Sequence, residues 1–372
     1  MKIMPVFGTR PEAIKLAPVI LLARRQPERF QLTVCVTGQH RQMLDQMLAV
    51  FGIAPDIDLD LMRPEQTLAD ISARTLTGVA GVLERQKPDW VLVQGDTTTV
   101  WAAALAAFFA GVRVGHVEAG LRTGDKQQPF PEEVNRRIAT QVADVHFAPT
   151  EWARGNLLRE GVAAETVVVT GNTVIDALYW MLERNEKAPG AEVREIERWS
   201  AEQVGERALV LVTGHRRESF GQGFEDICEA LAELASRHGE TCWVYPVHLN
   251  PKVQAPVRRI LGGVENVFLI EPLGYAAFTW LMKRALFILT DSGGVQEEAP
   301  SLGKRVLVMR RRTERPEGVE AGVVKLVGNE RGSIVAGCEE LLAMGGGGGQ
   351  VVSPYGDGQA AGRILRALEE RG

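Results

Sequence analysis

Several short stretches of this 372-residue chain gather residue types suited to anion binding and proton transfer. Gly8-Thr9-Arg10-Pro11-Glu12-Ala13-Ile14-Lys15 follows an apolar run and sets Arg10 and Lys15 one helical turn apart at a helix start. Cations there oppose the helix dipole, so an anionic ligand is one natural partner and bulk solvent the other. In Gly95-Asp96-Thr97-Thr98-Thr99, Asp96 is either a helix N-cap or a working carboxylate. In His116-Val117-Glu118-Ala119-Gly120-Leu121-Arg122-Thr123, Glu118 comes directly after an apolar strand, where an unpartnered carboxylate is costly. Glu132 and Glu133 follow Pro131, in a first helical turn where the dipole favours acids in any case.

The second half carries Thr213 to Gly221, Tyr245 to Pro251 and Leu289-Thr290-Asp291-Ser292-Gly293-Gly294-Val295-Gln296-Glu297-Glu298. A strand, a Ser-Gly turn and a helix start offer unpaired N–H groups to a diphosphate, with Glu298 one turn in for ribose hydroxyls. The alternative for that segment is an ordinary capped turn. Arg310 to Glu317 adds cations after the next strand. Gly356-Asp357-Gly358-Gln359-Ala360-Ala361 fits G-x-G-x-x-A but follows Pro354-Tyr355 in place of a strand, so it reads as a helix-start turn. Neither a G-x-x-x-x-G-K-[ST] string nor a G-x-S-x-G elbow occurs. No nicotinamide or other cofactor is expected.

These segments need strands and helices to aim them. Short β-branched runs alternate with helical patterns nearly throughout, which predicts parallel sheets covered by helices, an α/β fold. Strands are expected over 3–7, 32–36, 90–93, 112–116, 145–148 and 167–170, then 209–213, 242–247, 267–270, 287–290, 306–309 and 323–326. Helices are expected over 11–25, 41–51, 68–85, 100–110, 133–142, 151–160 and 173–183. In such sheets ligands collect beyond the strands' carboxyl ends, where the segments above fall. At roughly 150 residues per domain the length suggests two domains, joined after Gly171-Asn172, with a charged linker around Asn185 to Glu192. Gly345 to Gly349 reads as a mobile surface loop, and 358–370 as a closing helix.

A net charge of −5 without a basic stripe argues against nucleic acid and membrane surfaces as partners. Apolar stretches such as Val100 to Val112 are too short to cross a bilayer, and Met1-Lys2 runs straight into a strand-like segment, so a cytoplasmic protein is expected. Cys35, Cys228, Cys242 and Cys338 show no C-x-x-C spacing and read as reduced, buried thiols; no metal is expected.

In order, the strings G-T-R-P-E-A-I-K from Gly8, G-D-T-T-T from Gly95, G-H-V-E-A-G-L-R-T from Gly115, P-E-E from Pro131 with Asn135-Arg136, G-H-R-R-E from Gly214, Y-P-V-H-L-N-P from Tyr245, T-D-S-G-G-V-Q-E-E-A-P-S-L-G from Thr290, T-E-R-P-E from Thr313 and P-Y-G-D-G from Pro354 resemble those of the bacterial non-hydrolysing UDP-N-acetylglucosamine 2-epimerases. The resemblance covers essentially the whole chain. It implies two Rossmann-like doubly wound domains facing across a cleft, as in glycosyltransferase-B folds, and a cytoplasmic homodimer. Domain 1–171 would carry the catalytic carboxylates and 172–357 would bind UDP, with helix 358–372 free to pack back on the first. The implied reaction interconverts UDP-GlcNAc and UDP-ManNAc. By the same resemblance Asp96, Glu118, Glu132 and His215 are catalytic. Arg10, Lys15, Arg136, Phe278, Ser292, Gly293, Gly294, Glu298 and Arg315 hold the UDP-sugar, and Gln39, Gln42, Arg216 and His248 form an activator site for UDP-GlcNAc. A UDP-sugar glycosyltransferase, a hydrolysing epimerase and a non-catalytic UDP-sugar sensor remain the alternatives.

Overall fold

In the computed structural model, which describes residues 1–38, 41–63, 65–216, 219–347 and 351–372 apart from the side chain of Gln42, apolar runs become parallel strands. The chain divides into Met1–Tyr179 with Tyr355–Gly372, and Trp180–Pro354.

The first unit runs β1 (Lys2–Phe7), α1 (Arg10–Arg24), β2 (Gln31–Leu32), β3 (Cys35–Val36), α2 (Arg41–Phe51), β4 (Ile57–Asp58), α3 (Leu68–Gln86) and β5 (Trp90–Gln94). It continues through α4 (Thr98–Phe109), β6 (Arg113–Val117), α5 (Glu132–Val142), β7 (Val145–Ala148), α6 (Glu151–Arg159), β8 (Val167–Val169) and the start of α7 (Thr173–Lys187). The strand order is β4-β3-β1-β5-β6-β7-β8, with β2 also on β1, and every pairing is parallel. Strands covered on both faces are uniformly apolar, as in the Trp-Val-Leu-Val of β5, because neither face meets water. Met4, Val6, Val91 and Val93 pack with Val79 and Val82 of α3 and Val100 and Ala103 of α4.

The single strand expected over 32–36 is instead two, β2 and β3. Pro5 explains the break. Met1, Ile3 and Phe7 accept amides from this neighbour, from Gln31, Thr33 and Thr37, so residue 5 faces it too but has no N–H to give. Pairing lapses opposite it, between Leu32 and Cys35.

The second unit continues with α8 (Ala191–Gln203), β9 (Ala208–Thr213), α9 (Gln222–Arg237), β10 (Thr241–Pro246), α10 (Pro251–Leu261), β11 (Val267–Ile270), α11 (Tyr275–Arg284) and β12 (Phe287–Thr290). Then come α12 (Gly293–Glu298), β13 (Val306–Val308), α13 (Pro316–Glu320), β14 (Val324–Leu326) and α14 (Arg331–Ala343). Its order is β11-β10-β9-β12-β13-β14, all parallel. Numbered from its own first strand, this is the doubly wound 3-2-1-4-5-6 order of Rossmann folds; the first unit repeats it with β8 added at one edge and its second strand split into β2 and β3.

Two expectations need correction. The charged linker around Asn185 to Glu192 is mostly helix, since α7 runs to Lys187 and α8 starts at Ala191. Asn185 is buried and donates its amide to the Ala276 carbonyl at 2.8 Å, which holds the last turn of α7 in place. The glycine run is not a loose loop over its first residues. Gly345–Gly347 forms a tight turn in which Gly346 is buried, with φ +84°, and a Cβ there would lie 2.6 Å from Leu286. Only glycine permits that approach.

The closing helix α15 (Ala360–Glu370) packs on α1 within the first unit. Its N-cap residue, Gln359, contributes no side-chain cap; the buried Asp176 of α7 accepts the Ala360 and Ala361 N–H groups instead, at 3.2 and 2.9 Å. The four cysteines are free and buried.

Candidate active site

A doubly wound sheet opens a crevice where the strand order reverses, beyond the carboxyl ends of its first and fourth strands. In the first unit these are β1 and β5, followed by the segments of Arg10 and Asp96. In the second they are β9 and β12, followed by those of His215 and Ser292.

In the first unit Glu118 is 8% exposed and adopts φ +65°, a conformation L-residues rarely take. Strain of this kind costs on the order of 1–3 kcal/mol and persists only where neighbours enforce it. Three do. Lys15 forms an ion pair with Oε1, Asn172 donates to the same oxygen at 2.9 Å, and Gln94 donates to Oε2 at 2.5 Å.

Asp96 is not a helix cap, since Thr97 occupies the N-cap position of α4. Arg136 grips Asp96 Oδ2 through Nε and Nη2 at 3.0 and 2.7 Å, and Asn135 donates to the Asp96 carbonyl at 2.8 Å. Arg136 also reaches Glu133 at 3.1 Å. Burial opposes charge on Glu133, yet the Thr123 and Gly124 amides and Arg136 hold its carboxyl below the usual range. Acids in this helical turn thus differ in use. Glu133 is fully buried and anchors Arg136, whereas Glu132, the first residue of α5, is half-buried.

His116 lies behind this loop. Burial pushes it down to about 4, so the ring is neutral at pH 7 and its Nε2–H donates to the Gly95 carbonyl at 2.8 Å. Its register partner His146 is pushed down to about 3, again chiefly by burial. Both values lie below the ordinary 6.5, so the unfolded chain takes up protons before the folded one. Their stabilisation is complete above about pH 6.5 and is lost as pH falls through 4 and then 3. Urea titrations at pH 7, 6 and 5 are expected to show stability falling by about 1 kcal/mol per pH unit for each ring, with a shallower slope in His146→Gln.

In the second unit Asp291 is fully buried, and its Oδ2 accepts the His215 and Arg216 amides, each at 2.7 Å. The His215 ring lies 3.3 Å from Asp291 Oδ1 and stacks on His248, with centroids 5.4 Å apart. Ser292 caps α12 without using its hydroxyl as a cap, and its N–H donates to Thr290 Oγ1 at 2.9 Å. Arg315 stands against this turn; it donates to Glu297 at 2.6 Å and pairs with Glu314. Burial alone would raise Glu314, but Arg315 and Arg310 bring it down to about 2. Glu298 accepts the Tyr275 hydroxyl at 2.5 Å, and Phe278 stands three residues further along α11.

Most of the expected residues lie on these loops and helix starts. Arg10 opens α1 and Lys15 touches Glu118; Asp96 and Arg136 form one pair. Ser292, Gly293, Gly294, Glu298 and Arg315 surround one turn, while the Arg216 amide shares Asp291 with that of His215 and the His248 ring stacks on the His215 ring. Gln39 and the Gln42 side chain lie outside the described residues. Several supporting residues escaped sequence reasoning, namely Gln94, Asn172, Glu133, Asp291 and Tyr275. A polar residue ending an apolar strand, as Gln94 does, was the available signal for one of them. Among the described residues no group of His, Cys, Asp and Glu is arranged to hold a metal, and no helix is long and apolar enough to cross a membrane.

A family model described as UDP-N-acetylglucosamine 2-epimerase matches residues 23–369. The UDP-N-acetylglucosamine 2-epimerase of Yersinia pestis is 55% identical over 372 residues, 99% of this chain and 98% of that protein. The crystal structure of UDP-GlcNAc 2-epimerase from Neisseria meningitidis bound to UDP-GlcNAc matches with a TM-score of 0.92 at 46% identity, covering all of both chains. The Methanocaldococcus jannaschii enzyme in complex with UDP-GlcNAc and UDP matches at 0.81 and 33% identity, again over both whole chains.

Proposed function

The chain belongs to the UDP-N-acetylglucosamine 2-epimerase family, and from that premise we propose that it inverts C2 of UDP-N-acetylglucosamine reversibly, without hydrolysis, by eliminating UDP to 2-acetamidoglucal and adding it back. The C2 hydrogen is not next to a carbonyl, so direct abstraction at neutral pH is prohibitively slow. Breaking the C1–O bond sends its electron pair to the diphosphate and leaves oxocarbenium character at C1. Loss of the C2 proton to a carboxylate then forms the C1=C2 double bond. Return of UDP to C1, with a proton delivered to the opposite face of C2, gives UDP-N-acetylmannosamine.

The ion pair between Lys15 and Glu118 is the observation that carries this reading. A diphosphate offers Lys15 a second anion, and drawing the ammonium toward it strips Glu118 of its counter-ion. That makes the carboxylate a stronger base when a leaving group is present. Arg10, Lys15, His215, Arg315 and the turn at Ser292 stabilise the departing charge, at roughly 3 kcal/mol per well-placed donor. Asp96, Glu118 and Glu132 share the proton transfers, since inversion needs donors and acceptors on both faces of C2. Glu298, oriented by Tyr275, takes ribose hydroxyls. Phe278 and Arg136 complete the UDP-sugar set, and Gln39, Gln42, Arg216 and His248 take a second UDP-GlcNAc as activator.

We place the enzyme in the cytoplasm as a homodimer. The neighbouring Phe108 and Phe109 at the end of α4, 59% and 68% exposed, support a covered apolar surface.

The test is turnover in D2O. Deuterium is expected at C2 of both recovered UDP-sugars without any acceptor present. Transfer to an acceptor without exchange identifies a glycosyltransferase, free N-acetylmannosamine with stoichiometric UDP a hydrolysing enzyme, and binding without turnover a sensor; each overturns the proposal.

A further inference from the structure

Glu12 is buried at 1% exposure, yet the mechanism above does not use it. Its Oε2 accepts the Gly8 and Thr9 amides at 2.9 and 2.7 Å, an ordinary arrangement for an acid in the first turn of a helix. Its other oxygen does something that helix capping does not require. Oε1 accepts the Thr97 hydroxyl at 2.6 Å, across 85 residues of sequence. Thr97 follows Asp96 directly, and Gly8-Thr9 lead directly into Arg10.

We infer that Glu12 and Thr97 form a staple that positions the Asp96 carboxylate against the leaving-group cations Arg10 and Lys15. The staple joins the loops after β1 and β5, the two strands at which the order of this sheet reverses. The second unit solves the same problem with the same chemistry. There the buried Asp291, in the loop after β12, accepts two amides from the loop after β9. In both sheets a buried carboxylate ties the two loops that flank the switch point.

A tie of this kind matters for the elimination because breaking C1–O and removing the C2 proton must be aligned on one sugar. Misplacing a reacting group by about 1 Å costs on the order of a hundredfold in rate. Substrate affinity resides largely in nucleotide contacts made by other residues, so the staple acts on kcat. Glu12 and Thr97 are positioning residues and need not touch the sugar.

This inference rests on the epimerase reading, and Thr97→Val tests it. Thr97 makes no side-chain cap hydrogen bond to α4, so valine removes the bridge at nearly constant shape and leaves the Glu12 contacts to Gly8 and Thr9 in place. Expected for Thr97→Val are a kcat lowered about tenfold, a KM for UDP-GlcNAc within about twofold of the parent and an unchanged UDP dissociation constant. Thr97→Ser, which restores the hydroxyl, is expected to recover most of the rate. Glu12→Gln, whose amide can accept from both backbone N–H groups and donate to Thr97, is expected to stay within a few-fold of the parent. Parental kcat in Thr97→Val, or a serine variant as slow as the valine one, overturns the staple. A parent protein that leaves UDP-GlcNAc unchanged overturns the epimerase reading itself, so the two failures are separable.

Discussion

Glu118→Gln is expected to lower kcat by about a thousandfold or more while leaving the UDP dissociation constant within about threefold. Glutamine is close in shape and retains a carbonyl oxygen for Lys15 and Asn172, and its NH2 can donate to Gln94 once that side-chain amide turns over, so the loop has little reason to move. What disappears is a group able to take a proton from carbon. The UDP contacts proposed for Ser292, Glu298 and Arg315 lie in the other unit and are untouched. Asp96→Asn should behave alike, since the amide oxygen still accepts from Arg136 at a site whose backbone is held separately by Asn135. Calorimetric UDP binding and the rate of C2 deuterium exchange measure the two halves of this expectation. Retained turnover in both variants removes Asp96 and Glu118 from the proton transfers. Lost turnover together with lost UDP binding makes them binding groups.

Alternation of apolar runs with helical patterns was enough to read parallel sheets from the sequence, because strands covered on both faces have no polar side to hide their identity. Misreadings arose where a distant contact overrides local preference. The strand expected over 32–36 breaks because of Pro5 on its neighbour, and no residue inside 32–36 announces that. A charged stretch near Asn185 looks like a linker until the Ala276 carbonyl gives the asparagine a buried partner. The glycine run looks loose, yet Gly346 is glycine because Leu286 occupies the space a Cβ would need. The candidate site divides along the same line. Charged groups at strand ends were visible as misfits, Glu118 most clearly, because an ionisable residue after an apolar strand calls for an explanation. The groups that hold them were not. Asn172 looks ordinary in sequence, and only folding brings it across 54 residues to Glu118, whereas Glu133 stands one helical turn from Arg136 and passes as an acid that the dipole alone explains.

Gly293→Ala is expected to weaken UDP binding about thirtyfold, close to 2 kcal/mol, and to lower thermal stability as well. A Cβ at residue 293 would lie 2.7 Å from Arg315 Nη1 and 2.8 Å from Cζ, closer than such atoms can approach. A free surface arginine would simply swing aside. This one is held by Glu297 at 2.6 Å and by Glu314, both of which would lose their cation if it moved. The strain must therefore displace either Arg315 or the turn at Ser292, and each displacement separates a guanidinium from the helix-start amides it stands against. A diphosphate gains from both because they converge, so pulling them apart costs affinity even though neither group is removed. Alanine is itself the better helix former at this position, which offsets part of the cost to the fold. Gly294→Ala is the informative comparison. Its Cβ would meet Glu298 at an ordinary 3.8 Å, so only crowding of the ligand remains and a smaller loss is expected. Unchanged UDP affinity in Gly293→Ala would show that Arg315 and the Ser292 turn do not act on one diphosphate, and would leave the second unit without its proposed anion site.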